Sequence, residues 1–241
     1  MREWLFISDT HLTPDRPDVI RLFVRFVDEV AIHADRLYIL GDFLEYWLGD
    51  DDSAEGLEPV FQALKMLDNG GVNVFFMAGN RDFLVGHALA DKCGFSIIEE
   101  PYMLEINGKK TLLLHGDTLC TDDIEYQKFR TMVRNRKWQQ QILARPLRER
   151  EQLAHSMRQQ SEQANAEKDY QIMDVNQDSV IQTMKKYSVQ LLIHGHTHRP
   201  AIHDFNINGQ PAKRIVLSDW HNKGSYVKIN ESSEPELVEF S

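Results

Sequence analysis

The sequence predicts an α/β domain interrupted by a long helical insertion, and three observations carry that prediction. Five short apolar runs each end in polar residues able to ligate a metal: WLFISDTH, LYILGDF, NVFFMAGNRD, TLLLHGD and QLLIHGHTH. Helix-forming segments fill the gaps between the early runs. From Ile124 to Lys186 a stretch without glycine replaces strand-like sequence with helix formers, broken by Pro146.

The elements follow in order. Runs of Val, Ile, Leu and Phe bounded by turn residues are the pattern of strands buried on both faces. Val19–Ala34, Glu58–Asn69 and Val85–Lys92 space their apolar residues at helical intervals and fit crossover helices, which makes the pattern alternating α/β. Late strands IVLSDWH and SYVKIN, plus ELVEF, complete the sheet. The expected division is a core of residues 1–123 and 187–241 with an insertion at 124–186.

With 241 residues, 42% of them hydrophobic, the chain has enough apolar material for a large core. The longest uninterrupted apolar run, Val74 to Ala78, is too short to span a bilayer. The first residues lack the apolar segment and cleavage site of a signal peptide, so a cytoplasmic protein beginning near Met1 is expected. Cys93 and Cys120, outside any CxxC pattern, agree with a reducing compartment. A net charge of −10 argues against general nucleic-acid binding. Phe129 to Gln160 opposes the trend: eight Lys/Arg against two acids give a local +6, leaving −16 on the remainder.

In an alternating α/β sheet, side chains just beyond the carboxyl ends of the strands converge on one crevice. The tails offer Asp9, His11, Asp42, Asn80, His115, His196 and His198. Asp9 with His11, and His196 with His198, stand two residues apart, a spacing that aims both side chains the same way in extended backbone. All seven ligate through oxygen or nitrogen, which excludes a structural Cys-zinc site and favours manganese, iron or catalytic zinc. Any one such residue alone is ordinarily a turn former or a hydrogen-bonded histidine; five motifs in one order are not. Seven ligands exceed the needs of one ion, so two ions sharing a carboxylate is the economical reading. His194, ahead of the glycine, belongs to the strand end or to the groups that orient ligands.

The motifs D-x-H, G-D, G-N-R-D, H-G-D and G-H-T-H in this order resemble the calcineurin-like metallophosphoesterases, over the whole chain except the insertion. The resemblance implies a four-layer αββα sandwich of two mixed sheets. It also implies one ion held by Asp9, His11, Asp42 and His198, and a second held by Asp42, Asn80, His115 and His196. Two such ions, roughly 3.5–4 Å apart, activate water and neutralise phosphoryl oxygens for in-line attack. Where the family commonly has G-N-H-[DE], this chain has Arg81. A guanidinium is no proton donor at neutral pH, but it stabilises a departing phosphate, which points to a pyrophosphate bond. The stretch Gly41 to Asp52 departs from the G-D-x-V-D-R-G element of protein phosphatases, so a phosphoprotein substrate is disfavoured; Asp50 to Asp52 read as a solvated loop or helix cap.

GDFLEYWLGDDD, FMAGNRDFL, HGDTLCTDD, IMDVNQ and IHGHTHRPAIH resemble more particularly the hydrolases that cleave UDP-2,3-diacylglucosamine in lipid A synthesis. That resemblance implies water attack on the α-phosphorus, giving UMP and 2,3-diacylglucosamine 1-phosphate, with two Mn²⁺ or other divalent ions. It assigns the chemistry to Asp42, Arg81 and His196. Substrate contacts fall to Asn80, Arg81, Asp123, Ser161, Asn165, Lys168 and His196, joined by Tyr126 and Arg158. The insertion, with Phe129, Met132, Val133, Trp138, Ile142, Leu143, Leu147 and Leu153 among its basic residues, becomes an interfacial lid. The expected place is the cytoplasmic face of the inner membrane, bound peripherally, with no nucleic acid and no obligate protein partner. A soluble phosphodiesterase acting on another substrate and an inactive scaffold are the alternatives; seven intact candidate ligands argue against the second.

Overall fold

In the computed structural model, residues 2–167, 172, 174–231 and 234–241 are described, with side chains excluded for 160–167. The chain runs β1 (Glu3–Ile7), α1 (Pro17–Glu29), β2 (Arg36–Leu40), α2 (Glu58–Asn69), β3 (Asn73–Met77), α3 (His87–Cys93), β4 (Phe95–Ile98), β5 (Tyr102–Ile106) and β6 (Lys109–Leu113). Helices α4 (Ile124–Val133), α5 (Arg136–Leu143), α6 (Leu147–Glu167) and α7 (Gln177–Tyr187) follow. Strands β7 (Leu191–His194), β8 (Ala201–Ile207), β9 (Gln210–Val216), β10 (Gly224–Asn230) and β11 (Glu236–Phe240) close the chain.

Two mixed sheets result, ordered β11-β10-β1-β2-β3-β4 and β5-β6-β7-β9-β8. Strands β1 to β4 are parallel and stack in chain order, while β10 joins β1 antiparallel. Right-handed crossovers between strands that advance in one direction put every connecting helix on the same face. Helices α1, α2 and α3 therefore cover one side, and the other is left for the second sheet.

The two-residue period of a strand sorts the core. Leu5, Ile7, Leu37, Ile39, Val74 and Phe76 pack under the helices with Phe23, Phe26, Phe61 and Leu64. Their neighbours Trp4, Phe6, Tyr38, Leu40 and Met77 face the second sheet and meet Leu113, Ile193 and Ile215. On the far side of that sheet, Leu112, Leu114 and Leu192 pack with Val180 and Met184 of α7. The layers are thus α, β, β, α, as the family resemblance implies.

The late strand is shorter than IVLSDWH suggests. It ends at Val216, and residues 217–221 leave the sheet as a loop that carries Asp219 into the site. Asp50 accepts the N–H groups of Gly86, Ala88 and Leu89 and so caps α3.

Candidate active site

Pairing registers of Ile7 with Ile39, Leu40 with Met77, and Leu113 with Ile193 bring the strand ends to common edges. The residues after them turn at once. Asp9, His11, Asp42, His196 and His198 have left-handed backbone, with φ of 53°, 46°, 50°, 71° and 54°. Such strain in non-glycine residues persists where the surroundings over-determine it. Here the loops bind one another: Asp9 N–H donates to Gly41 O at 3.0 Å, His11 N–H to Asp42 O at 3.0 Å and Gly195 N–H to His115 O at 2.8 Å.

Two of the motif glycines are needed for close approach. A Cβ on Gly79 would lie 2.2 Å from both the backbone nitrogen and Oδ1 of Asp42, and one on Gly195 would lie 2.3 Å from Asp9 Oδ2. The glycines before Asn80 and His196 are therefore a steric condition for bringing the loops together.

Ligand-capable atoms of Asp9, His11 and His198 lie within 4.8 Å of one another, and so do those of Asp42, His115 and His196. Asp42 faces both clusters: Oδ2 is 3.9 Å from His11 Nε2 and Oδ1 is 3.8 Å from His115 Nε2. Asn80 Oδ1 stands 2.9 Å from His115 Nε2 and 2.9 Å from His196 Nδ1. All seven residues that the sequence singles out as ligands are thereby gathered in one place.

The donor set fits divalent cations. Asp9 Oδ1 is buried without a hydrogen-bond partner, while its Oδ2 accepts from Ser8 Oγ at 2.5 Å and His196 N–H at 2.9 Å. His11 Nε2 and His198 Nε2 converge to 3.4 Å, a crowding a cation between them would relieve. His115 Nδ1 lies 2.9 Å from Leu40 O; a proton donated there leaves Nε2 free to ligate.

Electrostatics agree. Burial disfavours the His115 cation, yet Asp42, Asp117 and Asp9 push its pKa up to about 9. Against the same burial, the carboxylates of Asp219 and Asp9, each 3.4 Å from a ring nitrogen, carry His198 up to about 10. Asp9, despite burial, is held well below the usual carboxylate range by His198 and His115. Burial and the neighbouring His115 drop His196 to about 4. His115 and His198 thus hold protons where cations would otherwise sit.

His194 joins neither cluster. It ends β7, fully buried, with Nδ1 2.9 Å from Gly195 O, and burial lowers its pKa to about 3, so it is neutral.

Four further residues gain their part in the site from spatial contacts, although two of them, Asp82 and Asp117, close the G-N-R-D and H-G-D motifs. Asp82 accepts N–H groups of Phe43 at 2.7 Å and Gly79 at 2.7 Å, tying two ligand loops together. Asp219 Oδ2 lies 3.4 Å from His198 Nδ1 and 2.8 Å from His221 Nε2. Glu45 Oε2 lies 3.0 Å from His11 Nδ1, an ion-pair contact without hydrogen-bond alignment, while its Oε1 lies 3.1 Å from Arg158. Asp117 underlies His115 and is taken up below.

Of the expected substrate contacts, Arg81 donates its N–H to Asp42 Oδ1 at 2.8 Å and brings its guanidinium to 3.9 Å from Glu45. Asp123 caps α4 by accepting Tyr126 N–H, and the Tyr126 hydroxyl is spent on Asp117 at 2.8 Å. The side chains of Ser161 and Asn165, and Lys168 altogether, lie outside the described residues. Asn80, Arg81, Asp123, Tyr126, Arg158 and His196 all border a cavity of about 1070 Å³. Its remaining wall includes Leu48, Phe83, Trp138, Ile142, Leu153 and Met157.

The basic segment is less outward-facing than its composition implies. Arg150 is 2% exposed and pairs with Asp51 and Leu48 O, and Arg130 and Arg134 point into the core loops. Trp138, Ile142 and Leu153 pack on the first core cluster. Arg150 and Leu153 stand three residues apart on α6, so burying Leu153 takes that guanidinium inward, where the Asp51 carboxylate and the Leu48 carbonyl receive it. Arg136, Lys137, Arg145 and Arg148 remain exposed, with Ile124, Met132 and Leu143.

The fold and this clustered O/N site define a class: the calcineurin-like phosphoesterase family model matches residues 4–200, and the chain belongs to that family. Curated relatives over nearly its full length carry the name UDP-2,3-diacylglucosamine hydrolase. The protein of Chromohalobacter salexigens is 46% identical, covering 98% of this chain and 97% of its own; that of Proteus mirabilis is 47% identical, covering 98% of each. That of Cellvibrio japonicus is 49% identical over 91% of this chain and 92% of its own. Among solved structures, an archaeal phosphodiesterase aligns with a TM-score of 0.50 at 15% identity, covering 99% of both chains, a likeness of fold alone.

Proposed function

We propose that this chain hydrolyses the pyrophosphate bond of UDP-2,3-diacylglucosamine by attack of activated water on the α-phosphorus, releasing UMP and 2,3-diacylglucosamine 1-phosphate in lipid A biosynthesis. The observation that carries this reading is Asp42, shared between two ligand clusters, with Arg81 beside it at the edge of a large cavity that also has apolar walls. Asp9, His11, Asp42 and His198 hold one cation; Asp42, Asn80, His115 and His196 hold the other. Bound there, two divalent cations, Mn²⁺ by preference, supply Lewis acidity toward the phosphoryl oxygens and lower the pKa of water.

The chain's own groups do the rest. Arg81 faces the departing sugar phosphate, which needs charge stabilisation and no proton. Asn80 and His196 border the reacting diphosphate, Asp123, Tyr126 and Arg158 line the cavity for the rest of the substrate, and the family resemblance assigns Ser161, Asn165 and Lys168 to it as well. The apolar wall receives acyl chains. No helix among the described residues is long and apolar enough to cross a membrane. A peripheral site on the cytoplasmic face of the inner membrane is supported by the exposed cations Arg136, Lys137, Arg145 and Arg148 beside exposed Met132 and Leu143.

The test is incubation of metal-stripped protein with UDP-2,3-diacylglucosamine, with and without Mn²⁺, following UMP. UMP that forms only with the metal is expected. No UMP under either condition, with inorganic phosphate released from a simple monoester instead, would overturn the reading.

A further inference from the structure

Tyr126, Arg130 and Arg134 recur every four residues along α4, so the helix presents them together to one neighbour. Arg134 lies at the C-terminal cap of the helix. The neighbour is the pair of loops bearing His115 and Asn80. Arg130 Nε donates to Asp117 Oδ2 at 2.9 Å, the oxygen that also takes the Tyr126 hydroxyl at 2.8 Å. Its Nη2 reaches Glu100 Oε2 at 2.7 Å. The other oxygen of Glu100 accepts the N–H of His115 at 2.8 Å and that of Gly116 at 3.4 Å. Arg134 Nη2 donates to the carbonyls of Ala78 at 2.8 Å and Gly79 at 2.9 Å, the two residues before Asn80.

Every link in this chain is partly buried, and both ends reach a residue of the same cluster. The Tyr126 ring also lies 5.6 Å from the ring of His196, the third member of that cluster. Asp9, His11 and His198 take their orienting partners elsewhere, from Ser8, Glu45 and Asp219.

We propose that Arg130 and Arg134 are positioning residues for the second ion: from α4 they set the loops that present His115 and Asn80, so this first helix of the insertion is part of the ion site and not a cover laid over it. The inference rests on the two-ion reading above. It separates the basic residues of the insertion into two kinds, those that shape the catalytic loops and those left exposed, a division that composition conceals.

Mn²⁺ titration calorimetry on the full chain tests it. The wild-type chain takes up two ions. Arg130→Lys keeps a charge but cannot fork to two carboxylates, and it weakens one ion about 10- to 100-fold while the other binds as before. Arg134→Ala weakens the same ion, identified as the one lost in His115→Ala. In turnover assays kcat falls in both variants with KM nearly unchanged, whereas the exposed control Arg136→Ala binds both ions normally. Wild-type binding of both ions by Arg130→Lys and Arg134→Ala, or equal weakening of both ions, overturns the proposal. If the wild-type chain itself takes up fewer than two ions, the two-ion reading falls and the proposal with it, an outcome visible before any variant is made.

Discussion

The two ligand clusters are built from similar residues but supported differently. His115 is fully buried, with one ring nitrogen against a backbone carbonyl, and is braced through Glu100. His198 is 39% exposed, and His11 and His198 lean on the carboxylates of Glu45 and Asp219. One half of the site is held by the sheet, by α4 and by peptide groups; the other by loop side chains that water reaches. The contrast teaches that a symmetric donor list conceals an asymmetric rigidity, with the cluster of Asp42, His115 and His196 preformed and that of Asp9, His11 and His198 adjustable.

The largest effect should come from removing what the halves share. Asp42→Asn is expected to cost on the order of 10³-fold in kcat, as loss of a central electrostatic element does; an effect confined to one ion in a metal titration would break the idea of a shared carboxylate. Asp219→Ala should weaken only the exposed half, about 10- to 100-fold in affinity for one ion, and not the ion lost in His115→Ala. A loss at both ions would remove the distinction drawn here.

Protons sharpen the comparison further. With pKa values raised to about 9 and about 10, His115 and His198 are protonated in the metal-free protein at pH 7.5, whereas His196, at about 4, is not. Each of the first two must release a proton to bind a cation, so affinity should climb with pH up to that range. Calorimetry in buffers of different ionisation enthalpy should detect proton release from both clusters. In the metal-free fold the same raised values, against an ordinary 6.5, stabilise fully below pH 6.5, and the contribution is lost as pH rises through 9 and 10. Thermal melts of stripped protein across that window should show the decline. The smallest effect belongs to the surface: Arg148→Ala should cut binding to anionic vesicles about 5-fold, from about 1 kcal/mol per basic residue, and leave hydrolysis of a short-chain substrate unchanged.

Strand ends and the polar residues they gather into the site were legible because both obey local rules. An apolar run followed by Gly-Asp, Gly-Asn or Gly-His states in a few residues where a strand stops and what it presents. The parts played by Glu45, Asp82, Asp117 and Asp219 were not legible, although Asp82 and Asp117 stand inside the G-N-R-D and H-G-D motifs, since each part is defined by contact with another segment: Asp82 contacts Phe43, and Asp219 contacts His198. The basic insertion misled through averaging. Composition counts Arg130, Arg134 and Arg150 with the exposed cations, but only tertiary contact reveals that they point inward.

The left-handed backbone at Asp9, His11, Asp42, His196 and His198 gives these positions a second character. Each of these five residues occupies a conformation that glycine adopts freely and that costs other residues about 1–3 kcal/mol. A ligand replaced by glycine loses its chemistry and relaxes its peptide unit in one step, whereas alanine loses the chemistry and keeps the tension. Inactive glycine variants should therefore melt higher than their alanine counterparts, and they are the better choice for trapping uncleaved substrate. The tension is a standing tax that the scaffold bears for its catalytic geometry.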